Sequence, residues 1–204
     1  DGQLGNGNTN DKSLPTLISN EKVWNSIAAG ENFSIALKSD GTLWAWGYNS
    51  DGQLGIGSYT NENTPRQVGT ATNWQTVAAG NSHTLAVKTN GTLWGWGYNH
   101  YGQLGTGGSN NASAPVQSGT LTTWKSVAAG YDDGMGLKTE QSLWGWGSNV
   151  YGEVGNGTTS TQYVLGNVDC YSSTLGNDNF EFAQDHSVKV FPNPVTNILN
   201  ITFN

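Results

Sequence analysis

A 50-residue repeat occurs three times without insertion in this chain of 204 residues and limits it to a small set of folds. Self-similarity at a fixed period of about 20 to 50 residues is typical of repeat proteins, in which each unit buries its faces against its neighbours. All nine tryptophans belong to the repeat and form three series: Trp24, Trp74 and Trp124; Trp44, Trp94 and Trp144; Trp46, Trp96 and Trp146. We therefore expect these indole rings to pack between units and not to form a reactive or binding centre.

Each unit has the pattern of four short strands separated by turns. In the first unit, residues 24–29 and 33–37 are two short runs, and the segment 41–47 carries Trp44 and Trp46, which must share a face because side chains alternate along a strand. Residues 65–68 begin with a proline, which suits an edge strand. Hairpin turns are predicted at Asp40-Gly41 and Asn90-Gly91, since glycine readily adopts a positive φ. A four-stranded unit of this length is typical of a β-propeller blade.

The third unit departs from its sisters. Gly134 and Gly136 thin one of its strands, and Gln141 replaces the hairpin glycine. These differences predict a weakened terminal blade.

The repeat resembles a known family. The segment WQTVAAGNSHTLAVKTNGTLWGWGYNHYGQLGTG, residues 74–107, resembles a repeat of the regulator of chromosome condensation family, and the similarity covers residues 1–165. The resemblance implies an all-β fold and a β-propeller, commonly with seven blades. Because a closed ring needs about four to eight blades and only about three and a quarter units are present, we expect a partial propeller of about three blades, an open arc cut from a longer protein.

The tail has a different character. Residues 166–187 read as a polar linker, and residues 188–204 as two strands around a Pro-Asn-Pro turn. The segment VKVFPNPVTNILNI is similar to the opening of a type IX secretion C-terminal sorting domain, which implies the start of a truncated β-sandwich, contact with the type IX secretion machinery, and a location that is secreted or on the outer-membrane surface of a gram-negative bacterium. An ordinary edge hairpin is the alternative. The resemblance is carried by Val188, Val190, Phe191, Pro192, Asn193, Pro194, Leu199, Asn200 and Ile201.

Composition and motifs exclude several function classes. Eight basic against 15 acidic residues give a net charge of −7, which argues against binding to nucleic acid or an anionic membrane. No apolar run approaches the ~18 residues of a membrane span, and a single cysteine excludes an internal disulfide or a cysteine-based zinc site. The GQLGTGG stretch lacks the Lys-Ser/Thr of a phosphate loop, and adjacent side chains such as Asp132 and Asp133 diverge on a strand. We therefore expect no cofactor, no metal and no enzyme activity.

The loops offer a candidate binding face. If connections alternate between the two ends of each blade, the turn after the VAAG or IAAG segment and the long loop after the WGWG or WAWG segment share one face. This face varies between units and is rich in Tyr and Asn, which supply contact area and adaptable hydrogen bonds. Drift of loop residues without function is the alternative, and His83 reads as a variable surface position at a strand end. The candidate residues are Phe33, Tyr48, His83, Tyr98, His100, Tyr101, Tyr131, Asp132, Asp133 and Tyr151.

Three functions follow from these observations and from the resemblance. The leading hypothesis is a non-catalytic, secreted or surface-displayed propeller that binds a protein or glycan through this face. The second is a guanine nucleotide exchange-type regulator of a GTPase, the role of the family's eukaryotic namesake. The third is a secreted inhibitor of an extracellular enzyme, since a β-lactamase inhibitory protein shares this propeller class.

Overall fold

Three four-stranded antiparallel sheets repeat along the chain in the computed structural model, which describes residues 1–21 and 23–168 and the backbone of two short strands at 188–190 and 201–203. The sheets confirm the all-β partial propeller and the four strands per unit. Blade 1 contains β1 (Trp24–Ala29), β2 (Phe33–Lys38), β3 (Leu43–Gly47) and β4 (Glu62–Gln67). Blade 2 contains β5 (Trp74–Ala79), β6 (His83–Lys88), β7 (Leu93–Gly97) and β8 (Ala112–Gln117). Blade 3 contains β9 (Trp124–Ala129), β10 (Asp133–Lys138), β11 (Leu143–Gly147) and β12 (Gln162–Asn167).

The strands of each sheet follow chain order, and the sheets approach one another through their first strands. The turns after these strands are joined by backbone hydrogen bonds. The amide of Glu31 donates to the carbonyl of Asn81 at 3.2 Å, and the amide of Asn81 donates to the carbonyl of Tyr131 at 3.2 Å. The last strand of each blade is therefore an outer edge.

The core lies between the blades, as the repeat predicts. Phe33, Ile35 and Leu37 of blade 1 pack against Trp74 and Trp96 of blade 2. Leu85, Val87 and Leu93 of blade 2 pack in the same way against Trp124 and Trp146 of blade 3. Blades 1 and 2 thus each offer an aliphatic face to the following blade, and blades 2 and 3 each offer an indole face to the preceding one. Burial of rings and aliphatic side chains, worth about 25 cal/mol per Å² of apolar surface, holds the blades together.

The long loop after the third strand of each blade is held by one buried asparagine. In blade 1 the Asn49 side-chain amide donates to the carbonyls of Ser58 and Thr60, and its oxygen accepts from the amide of Leu54, all at 2.9 Å. Asn99 and Asn149 repeat this arrangement. These loops are rigid parts of the fold, because buried hydrogen bonds fix their backbone.

The loops also cross onto the next blade. The amide of Gly57 donates to the carbonyl of Ser113 at 2.7 Å, and the Trp146 indole Nε1 donates to the carbonyl of Gln103 at 2.8 Å. The side chains that vary between units at the loop surface are therefore attached to a backbone that is hydrogen-bonded to two blades.

The predicted Asp-Gly and Asn-Gly turns are confirmed, with glycine φ angles of 79° at Gly41 and 75° at Gly91. Gln141 takes the same left-handed conformation, with φ 69°. Two predicted bounds shift. The fourth strand begins at Glu62 and not at Pro65, because the proline sits at a bulge of an edge strand where its missing N–H costs no ladder bond. The last strand of blade 3 runs to Asn167, beyond the predicted boundary at residue 165.

The thinning glycines of blade 3 have a packing role. A Cβ on Gly134 would collide with the Trp146 indole, and a Cβ on Gly136 would collide with the Trp124 indole. β10 still pairs with both neighbours. In blades 1 and 2 serine, threonine or alanine occupies these positions, so the rings of blade 3 fill the space that a Cβ takes in the sister blades.

The chain divides into two compact units, Asp1–Asp169 and Cys170–Asn204. In the second, β13 (Val188–Val190) pairs antiparallel with β14 (Ile201–Phe203), as predicted for two strands around a turn. No helix among the described residues is long and apolar enough to cross a membrane. Residues 169–187 of the predicted linker 166–187 lie outside the described part of the chain, as do the sorting residues Phe191, Pro192, Asn193, Pro194, Leu199 and Asn200.

Candidate functional site

In each blade, the turn after the first strand and the long loop after the third strand lie together at one end, as predicted. The amide of Tyr98, which begins the long loop of blade 2, donates to the carbonyl of Ser82 in the turn after β5 at 2.8 Å. Blade 1 makes the same bond from Tyr48 to Asn32 at 2.8 Å, and blade 3 from Ser148 to Asp132 at 2.9 Å. We call this end of the blades the loop face.

Three aromatic side chains meet on the loop face of blade 2. The rings of Tyr98 and His100 are stacked, with centroids 6.2 Å apart and 24° between their planes. The Tyr101 ring stands nearly perpendicular to both, with centroids 6.5 Å from Tyr98 and 5.1 Å from His100. Tyr98 and Tyr101 are half-buried and His100 is exposed. We call these three residues the aromatic cluster.

Only blade 2 has this cluster, although all three loops share one backbone. The equivalent residues are Tyr48, Ser50 and Asp51 in blade 1 and Ser148, Val150 and Tyr151 in blade 3. In each blade the backbone amide of the third residue donates to the side chain two positions later, at Gln53, Gln103 and Glu153. The loop conformation is therefore independent of which side chains occupy the cluster positions.

A carboxylate from blade 3 lies beside the cluster. The Gln103 side-chain amide donates to Oδ1 of Asp132 at 3.0 Å and so joins the long loop of blade 2 to the turn after β9. Burial raises the pKa of the Asp132 carboxyl, and the Gln103 hydrogen bond and the nearby His100 oppose this shift. Burial likewise raises the pKa of Tyr98, with further contributions from Tyr101, Asp132 and Asp51.

The residues around Asp133 differ from those around Asp132. Its side chain packs against Gly130. Its pKa is raised by burial first, and then by the charges of Glu153 and Asp132. Across residues 1–21 and 23–168, no group of three or more His, Cys, Asp or Glu side chains is placed to hold a metal ion.

Phe33 and His83 do not belong to the loop face, which corrects the sequence-based assignment. Phe33 is 1% and His83 0% exposed. Each begins the second strand of its blade with its ring over a glycine, Gly30 or Gly80, where a Cβ would collide with it. They face the following blade because they share strand parity with the buried aliphatic residues. Burial lowers the pKa of His83 to about 4, and an interaction with the backbone of Asp133 opposes this shift. That interaction falls short of hydrogen-bond geometry, so neither ring nitrogen has a hydrogen-bond partner among the described residues.

The other candidates are dispersed. Tyr131 and Tyr151 are 68% and 91% exposed. Tyr48 is half-buried on blade 1, where Ser50 and Asp51 stand in place of further rings. Of the ten predicted residues, the structure brings four into one patch: Tyr98, His100, Tyr101 and Asp132.

A second arrangement of rings escaped the sequence analysis. At the end of each second strand, one lysine Nζ lies over two tryptophan rings of its own blade. For Lys138 the distances to the ring centroids are 3.6 Å for Trp144 and 5.3 Å for Trp124, and Glu140 lies 3.8 Å from the ammonium. Lys38 and Lys88 make the same double contacts. The 50-residue spacing of Lys38, Lys88 and Lys138 is the sequence feature that could have indicated these contacts. They adjoin the hairpin turns, on the end opposite the loop face.

Comparison with known proteins agrees with this architecture. The profile of the Regulator of chromosome condensation (RCC1) repeat matches residues 1–37, 40–87 and 90–135, and a second profile of that repeat matches residues 24–53 and 74–103. A comparison with curated proteins finds no significant match.

Three solved structures have a similar fold. Human WBSCR16 is 23% identical with a TM-score of 0.72, and the match covers 81% of this chain and 44% of that one. Yeast RCC1 (Prp20) bound to Kap60 is 22% identical with a TM-score of 0.73, covering 85% and 44%. Prp20p from Saccharomyces cerevisiae, described with its binding properties to Gsp1p and histones, is 23% identical with a TM-score of 0.74, covering 84% and 45%.

The chain thus spans less than half the length of these solved relatives. The repeat profile covers most of the chain, and the blades it describes are present in the structure. The chain belongs to the regulator of chromosome condensation (RCC1) repeat family.

Proposed function

We propose that this chain is a non-catalytic binding module that recognises a protein partner through the loop face of blades 2 and 3. The observation that carries the proposal is the aromatic cluster, three rings within 6.5 Å of one another beside the Asp132 carboxylate, on loops fixed by buried hydrogen bonds. Rigid tyrosines provide large contact area at low entropic cost, and a preorganised surface loses little freedom on binding.

The solved relatives support a protein as the class of partner. Prp20 was crystallised with Kap60, and Prp20p was described with its binding to Gsp1p and histones. A glycan is the other ligand class consistent with exposed rings, and the experiment below distinguishes it.

We further propose that the protein acts outside the cell, secreted or displayed on the outer membrane of a gram-negative bacterium. The support is the similarity of VKVFPNPVTNILNI to a type IX sorting segment. Immunoblots of medium and cell surface, from host strains with and without a working type IX system, test this. Equal amounts in both strains would contradict it.

The test of binding is capture of partners on the immobilised protein. We expect a variant with Tyr98→Ser, His100→Ser and Asp132→Asn to lose partners that the parent captures from culture medium. The substituted residues occur at equivalent positions of the sister units, so the loop backbone accepts them. The control is Asn90→Asp, which gives the opposite end of blade 2 the residue of blade 1. Equal capture by the triple variant would refute the loop face. Capture that resists proteases but is lost on glycosidase treatment would assign the ligand to glycans.

The exchange-type regulator remains the alternative, supported by the fold shared with Prp20p. It predicts accelerated release of labelled GDP from a small GTPase. A secreted inhibitor predicts that the captured partner is an enzyme whose activity falls on binding.

A further inference from the structure

We propose that the aromatic cluster and Asp132 together bind a cationic side chain, arginine or lysine, in an exposed basic segment of the partner protein. The inference rests on the proposed function and names the chemistry that the loop face recognises. Aromatic faces attract cations within about 6 Å of the ring centroid. Two such rings, those of Tyr98 and Tyr101, meet here with the His100 ring stacked on Tyr98, beside one carboxylate.

The same combination already holds a cation elsewhere in the molecule. Lys138 lies over the rings of Trp124 and Trp144, with Glu140 as its carboxylate partner. On the loop face the rings and the carboxylate are present, and no lysine or arginine among residues 1–21 and 23–168 forms an ion pair with Asp132. A cationic side chain of the partner would lie there over the rings and beside Asp132, as Lys138 lies over two rings and beside Glu140 in blade 3.

The charges around the cluster favour a cation. The charges of Asp51 and Asp132 both act on Tyr98, so two carboxylates border the aromatic cluster. The lysines of the second strands lie at the opposite end of the blades. An acidic ligand would be repelled by this face, whereas a basic segment would be attracted to it.

The arrangement is specific to the junction of blades 2 and 3. Blade 1 places a serine and an aspartate where blade 2 has His100 and Tyr101, and the residue equivalent to Asp132 is Asn32 in blade 1 and Ser82 in blade 2. The sister units therefore supply substitutions that remove each component and leave the loop intact.

The test uses the full chain and short blocked peptides. The probes are acetyl-Gly-Arg-Gly-Arg-Gly-amide, its lysine counterpart, and a citrulline counterpart, which keeps the shape of arginine without the charge. Binding is followed by calorimetry and by backbone amide shifts. We expect both cationic peptides to bind with a Kd on the order of 1 mM, arginine more tightly because a planar guanidinium stacks on rings. Citrulline should bind at least about tenfold more weakly, and raised salt should weaken the cationic peptides.

Two variants separate the components. Tyr98→Ser with His100→Ser removes two rings, and Asp132→Asn removes the charge; each should weaken arginine binding by about fivefold or more. The matched controls are Tyr48→Ser, which removes a loop-face ring from blade 1, and Asp11→Asn, which removes an exposed carboxylate; neither should change binding. Amide shifts should centre on residues 98–101 and 132.

Equal binding of arginine and citrulline peptides, or unchanged binding by both cluster variants, would overturn the inference. If neither cationic peptide binds while partner capture still depends on Tyr98, His100 and Asp132, the inference fails and the proposed function stands. If capture is also independent of these residues, both fail.

Discussion

Blades 1 and 2 carry equivalent residues on their indole faces, yet only that of blade 2 is covered by another blade. Trp74 is 4% exposed, and Val77 packs in the core between the blades. The equivalent Trp24 is half-buried, and Ile27, equivalent to Val77, is 80% exposed. Residues 12–19 lie across part of the blade 1 face and leave an open apolar cleft of about 800 Å³. Identical positions of a repeat thus differ in burial because burial depends on the neighbouring blade.

The largest expected effect comes from removing the indole at this shared position. Trp74→Ala should lower the free energy of unfolding by about 3 to 5 kcal/mol, since it leaves a cavity between blades. Trp24→Ala should cost about half as much, because its ring contacts Trp46 and Lys38 without a covering blade. Urea titrations of both variants measure the difference. Equal losses would show that the neighbouring blade contributes nothing to the role of the ring.

The aliphatic faces of blades 1 and 2 carry different residues at one equivalent position, Phe33 in blade 1 and His83 in blade 2. With a pKa near 4 in the folded protein and near 6.5 when unfolded, His83 is protonated in the unfolded chain first. The stability of the parent relative to His83→Phe should therefore be constant above pH 6.5. It should then fall by about 3 kcal/mol as the pH drops to 4. Unfolding of both proteins at pH 7, 5 and 4 gives this difference. A pH-independent difference would place His83 in contact with water or a partner group.

The hairpin turns at the end opposite the loop face also differ between blades, with Gly91 in blade 2 and Gln141 in blade 3 at equivalent positions. A Cβ on Gly91 would collide with the carbonyl of Thr122 in the next blade, so Gly91→Ala should cost about 2 kcal/mol. Gln141 holds the same conformation in blade 3. Gln141→Gly should instead stabilise the protein by about 1 kcal/mol by relieving a left-handed glutamine. Thermal unfolding of the two variants is the measurement, and a shift of the same sign in both would contradict the explanation.

The smallest effect is expected at Ile27, the exposed residue of the equivalent pair Ile27 and Val77. Ile27→Gln should change the free energy of unfolding by less than about 0.5 kcal/mol, since its side chain is already in water. Val77→Gln should destabilise by about 1 to 3 kcal/mol by placing an amide between blades. A large loss at Ile27 would mean that another surface covers blade 1 in solution.

Much of the fold could be predicted because periodicity reports packing directly. The spacing of Trp44 and Trp46 indicated one indole face, and Gly41 and Gly91 indicated the turns; both features follow from local chemistry. The position of Pro65 inside β4, and not at its start, could not be predicted, because a bulge depends on how β3 pairs with β4.

The site was harder to predict. Tyr98, His100 and Tyr101 could be selected from their loop, but the assignment of Phe33 and His83 to the loop face was wrong, because both are buried. A residue at a strand end faces either solvent or the next sheet, and strand parity relative to a neighbouring blade decides which. The lysine contacts with paired rings were missed because the two rings lie in the first and third strands of a blade and the lysine lies in the second.

The four-stranded unit, its turns, its family and the surface that varies between units could all be inferred from the sequence, because each depends on residues close together in the chain or repeated at a fixed distance. The tertiary structure alone decided which equivalent residues are buried, that Asp132 of one blade joins three rings of another, and that His83 is enclosed. These features arise where separate blades meet, and contacts across such a boundary depend on the orientation of whole sheets.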